Sequence, residues 1–106
     1  MPKYLIKASY TADGVKGVMK DGGTKRRQAA EAAVKSTGGK LEGFYFAFGE
    51  ADAFVIIDAP DNASVAAASM AIGASGLVSC TTVVLLTPEE IDQAVKKGAT
   101  YTPPGR

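Results

Sequence analysis

Strand-like alternation in four segments, helical periodicity between them, and a start or stop signal at nearly every junction predict an α+β domain. Along the 106 residues the order reads β-α-β-β-α-β-α, the split βαβ arrangement of a ferredoxin-like fold with one further helix. A chain this long holds one core and one domain, expected over residues 1–100, with an extended tail at 101–106.

The first strand is Tyr4–Tyr10, where Tyr4, Ile6, Ala8 and Tyr10 alternate with Leu5, Lys7 and Ser9. Thr11 then offers an N-cap to a short helix carrying Val15, Val18 and Met19, which Gly22-Gly23 interrupts. A second helix is expected from Lys25 to Thr37, capped by Thr24. Its apolar stripe is Ala29, Ala30, Ala33, Val34 and Thr37, while Lys25, Arg26, Gln28, Glu31 and Lys35 face water. Gly38-Gly39 ends it. Two strands follow as a hairpin, Lys40–Phe48 and Asp52–Asp58, joined at Gly49-Glu50-Ala51. Asp61 or Asn62 caps a third helix that runs to about Ala74, Gly76 breaks it, and Val78–Leu86 is the last strand. Thr87-Pro88-Glu89-Glu90 opens the final helix with a capping box and a proline in its first turn.

Composition narrows the chemistry. Histidine is absent, which excludes His-based triads, His-ligated haem and His-containing zinc sites. The one cysteine, Cys80, excludes an intrachain disulfide and a redox pair, and reads as a small buried hydrophobe. No metal and no cofactor is expected. A formal net charge of +1 argues against a nucleic-acid binder. The N-terminus lacks the basic and apolar regions of a signal peptide, so a cytoplasmic protein is expected. Asn62–Pro88 carries no charge, but its Ala, Ser, Gly and Thr content and its change from helical to strand-like character argue against a membrane span.

Both alternation sets of the hairpin strands are apolar. Phe44, Phe46, Phe48, Phe54 and Ile56 stand against Leu41, Tyr45, Ala47, Val55 and Ile57, the pattern of strands buried on both faces. Taking these two strands as central, the chain has nothing left to cover a second sheet face. Self-association as a homodimer or larger oligomer is therefore expected. The third helix is apolar all round, which implies either close packing on the sheet or a contact between subunits.

Four groups of residues could carry chemistry. Glu50 and Asp52 form a close carboxylate pair that could divide acid and base roles, or serve the turn. Thr24, Lys25, Arg26 and Arg27 surround a helix N-terminus as an anion-binding candidate. A basic first turn opposes the helix dipole, so these cations call for acids of another subunit or an anionic ligand. Tyr10 and Tyr45 could offer hydroxyls to an aromatic or acidic ligand, or simply pack. The tail through Pro103-Pro104 is either a loose end or an arm on a neighbour.

Several blocks resemble GYD-domain proteins: Pro2–Ile6, Gly22–Arg27, Gly38–Gly49, Asp61–Ser64 and Thr87–Ile91. The resemblance implies a small prokaryotic protein of the dimeric α/β-barrel type, from a family of unknown function. The family's name-giving motif, Gly-any-Tyr-Asp, stands here as Gly49-Glu50-Ala51-Asp52, with Ala51 in place of the tyrosine. Three functions follow as expectations: a homo-oligomeric binding or assembly module; by fold analogy, a cofactor-independent monooxygenase or isomerase using Tyr10, Tyr45, Glu50 or Asp52; and a regulator that senses an anion at Thr24–Arg27.

Overall fold

Eight elements lie along the chain in a computed structural model that describes all 106 residues. They are β1 (Lys3–Tyr10), α1 (Ala12–Asp21), α2 (Gly23–Ser36), β2 (Lys40–Phe46), β3 (Ala53–Asp58), α3 (Asn62–Gly73), β4 (Val78–Leu85) and α4 (Pro88–Lys97). The four strands form one antiparallel sheet in the order β2-β3-β1-β4, which is the ferredoxin-like split βαβ. No helix is long and apolar enough to cross a membrane.

The caps explain most boundaries. Thr11, Asp61 and Thr87 each accept a backbone N–H from three residues on, and Glu90 closes the capping box on Thr87. After α2, Gly38 takes φ 86°, its N–H donates to the Lys35 carbonyl, and the Gly39 N–H donates to the Val34 carbonyl. That is a Schellman stop, which a residue with a Cβ would strain. The expected Thr24 cap is corrected. Helix α2 begins at Gly23, two residues before the expected Lys25, because Gly22 at φ 81° ends α1 and lets the chain restart without a side-chain cap.

The core lies between one sheet face and α2 and α3. Tyr4, Ile6, Val55 and Ile57 from the central strands meet Val34 of α2 and Val65 of α3. Burial on β1 and β3 alternates strictly, so Leu5, Lys7, Phe54 and Ile56 point to the opposite face, which no helix covers. Two expectations fail here. The central strands are β1 and β3, and β2 is an edge. The hairpin's faces are also regrouped, since a bulge between Leu41 and Gly43 shifts the alternation of β2 by one residue. Leu41 and Phe44 therefore join the core side opposite Ile57 and Val55, while Tyr45 lies beside Phe54 on the open face. Strand β2 stops at Phe46, and Phe48 is wholly exposed. Lys3 anchors the bulged edge, donating to Glu42 at 2.7 Å and Asp58 at 2.9 Å. Those hydrogen bonds, Glu42's first, raise its pKa.

Helix α3 is also less covered than its composition suggested. Val65 and Ala68 are buried, yet Met70 is 73% exposed. Every residue of α4 is exposed, although Ile91 and Val95 form an apolar stripe one turn apart. The radius of gyration is 16.8 Å, against about 13 Å for a compact chain of this length. Its surface of 7301 Å² exceeds by about 1,700 Å² that of a folded monomer of equal mass.

Two substitutions in α1 test its seat on the sheet. A Cβ at Gly14 would lie 2.2 Å from the Leu77 carbonyl oxygen, whereas one at Gly17 meets nothing within 4 Å. Gly14→Ala is expected to destabilise by about 1–3 kcal/mol in urea unfolding. Gly17→Ala is expected to be neutral or stabilising by up to about 1 kcal/mol. The Asp61 cap gives a pH signature, because the Ser64 backbone N–H holds its carboxyl below the ordinary range. Its contribution is full above the ordinary aspartate value of about 3.9 and fades as pH falls through the lower folded value. The stability gap between wild type and Asp61→Ala should shrink over that acid window.

Candidate functional site

Small side chains open a cavity between the helices and the sheet. Ala30 and Ala33 of α2 and Ala68 of α3 face Ala8 and Ala53 of the central strands, and none of them can fill the space a leucine would take. The resulting cavity is about 90 Å³, partly open to solvent, and is bordered also by Ile6, Val34, Phe44, Val55 and Ile72. Cys80 lines it from β4, and burial pushes its thiol pKa up, so it stays a protonated, apolar wall.

One lining residue is charged. Arg26, in the first turn of α2, is half-buried and borders the cavity with Tyr10. It enters no ion pair. Tyr10, Arg26, Ile72 and Val78 also border a second hollow of about 280 Å³ between α1 and the turn after α3. Arg26 therefore stands at the boundary between an apolar interior and a more polar mouth. Asp21 borders that mouth too, with Lys25 at 3.8 Å.

This placement corrects the expectation that Arg26 simply faces water. It continues the apolar stripe of α2 one turn toward the N-terminus, at positions 26, 30, 33, 34 and 37, and that spacing was the signal for it. Thr24, Lys25 and Arg27 are exposed and line neither of the hollows that Arg26 borders.

The carboxylate pair is separated by function. Asp52 accepts the backbone N–H of Tyr10 at 2.8 Å, tying the loop after β2 to the end of β1. It borders a groove of about 470 Å³ with Tyr10, Val18 and Phe48. Glu50 instead borders a polar hollow of about 420 Å³ near the open sheet face, with Lys7, Ser9, Ser79 and Thr81. Buried Ala51, standing where the resembled motif has tyrosine, lines the same hollow. The tyrosines separate as well: Tyr10 belongs to the cavity side, and Tyr45 is 67% exposed on the open face. No group of three or more Cys, Asp or Glu side chains is placed to hold a metal ion.

The family model described as GYD domain matches residues 4–95. No curated protein and no solved structure matches the chain.

Asp52 is expected to act on stability. Asp52→Ala removes the acceptor of the Tyr10 N–H and should cost about 1–3 kcal/mol, while Asp52→Asn keeps an acceptor and should recover most of it. Equilibrium urea unfolding of the two variants checks this.

Proposed function

The chain belongs to the GYD domain family, and from that premise we propose that it is a self-associating module that binds a small molecule between its helices and its sheet. One observation carries the self-association: the uncovered sheet face carries half-buried Leu5, Phe54, Ile56 and Leu85 beside exposed Tyr45 and Val83. An apolar patch across four strands is costly in water, and a second copy offers the same patch as a self-complementary, two-fold contact. The surface excess of about 1,700 Å² compares with roughly 800 Å² buried per partner in a standard interface.

The C-terminal segment supports the same reading. Helix α4 leaves the edge strand β4 fully capped at its start, with Ile91 and Val95 unpacked on its own chain. In the assembly it is an arm laid on the neighbour, followed by the Pro103-Pro104 tail. The ligand reading rests on the alanine-lined cavity, which at about 90 Å³ is larger than the voids close packing ordinarily leaves. An enzyme built on Glu50 and Asp52 gains no support, since the two border different hollows. A regulator built on Thr24–Arg27 retains only Arg26.

Sedimentation velocity of Ile56→Asp tests the interface. Ile56 lies opposite Leu5 and Gly43 on the uncovered face, away from the core, so the variant should keep its helical circular dichroism while its sedimenting mass drops to that of one chain. Equal masses for variant and wild type would remove this face from the assembly.

A further inference from the structure

We infer that the alanine-lined cavity takes a short aliphatic monocarboxylate, its chain inside and its carboxylate on Arg26. This rests on the reading of the cavity as a binding site and adds the class of its ligand.

Size, polarity and charge each restrict the occupant. At about 90 Å³, the space is smaller than the roughly 150 Å³ cavity that accepts benzene, so a short chain fits better than a ring. The floor from Ile6, Ala53 and Val55 and the roof from Ala30 and Ala33 offer no side-chain hydrogen-bonding group, so the buried part of the ligand must be apolar. At the boundary stands one cation without an acid partner. A guanidinium there is matched by a carboxylate, which it grips with two parallel N–H donors. A neutral ligand would leave that group without a counter-charge, and a bare anion would leave the cavity empty. The protonated Cys80 thiol adds no negative charge against the acid.

Amide chemical-shift titration of the isotope-labelled, full-length protein at pH 7 tests this, with sodium valerate, 1-pentanol and sodium sulfate as probes. Valerate is expected to give saturable shifts at Ile6, Val34, Ala53 and Cys80, at least tenfold tighter than 1-pentanol, which has the same chain without the charge. Arg26→Gln should remove that preference, bringing valerate to the level of 1-pentanol. Ala30→Leu, which fills the space from α2, should abolish both.

If 1-pentanol binds as tightly as valerate, the cavity remains a binding site and the acid class is wrong. If neither probe gives saturable shifts, or Ala30→Leu folds and binds unchanged, the cavity reading itself fails. Shifts confined to Arg26 and matched by sulfate would show an arginine that only snorkels its head to water along an empty cavity, and would overturn the inference.

Discussion

A four-stranded sheet has two faces, and this chain supplies packed helices for one. Helices α2 and α3 bury Tyr4, Ile6, Val55 and Ile57, and the strict alternation of β1 and β3 then sends Leu5, Phe54 and Ile56 the other way. Period-two geometry allows no compromise. A residue on a central strand belongs to one face or the other, so the apolar character of the second set must be answered outside this core. The proposed second copy follows from that imbalance, and the surface excess and the unpacked α4 accord with it.

The covered face has the opposite feature. It is closed by small residues, so helices and sheet approach without filling the space between them. Alanine on α2 and α3 stabilises helix while contributing little volume, and the cavity beneath them is the consequence. Its position at the start of α2 brings the one half-buried arginine of that helix to its rim. The two candidate functions thus sit on opposite sides of the same sheet: assembly on the open side, ligand on the helix side. Asp52 joins the ends that both sides share, holding the Tyr10 amide from the loop that leads into β3.

Much of this architecture is local in origin and was therefore legible in the sequence. The caps at Thr11, Asp61 and Thr87, the glycine stop at Gly38-Gly39, and the alternation of Tyr4–Tyr10 each depend on residues within a few positions of one another. What escaped depends on distant partners. The bulge after Leu41 regroups the faces of β2, and its glutamate is held by Lys3, 39 residues earlier. That strand also lies at an edge because β3 pairs with β1, a choice that no short window encodes. Gly22 serves two helices at once, which hid the true start of α2 from a reading that sought a hydroxyl cap. For the site, the sequence marks both Tyr10 and Arg26, but as members of different clusters. The sheet's twofold alternation separates Tyr10 from Tyr45, and helical spacing separates Arg26 from Lys25 and Arg27.

Whether a second copy covers the open face can be read from native mass spectrometry of the wild-type protein over a dilution series. The expected species has at least twice the 10.9 kDa chain mass, giving way to single chains only on dilution or collisional activation. A single chain at every concentration would contradict it, and the apolar residues on that face would then need a different partner.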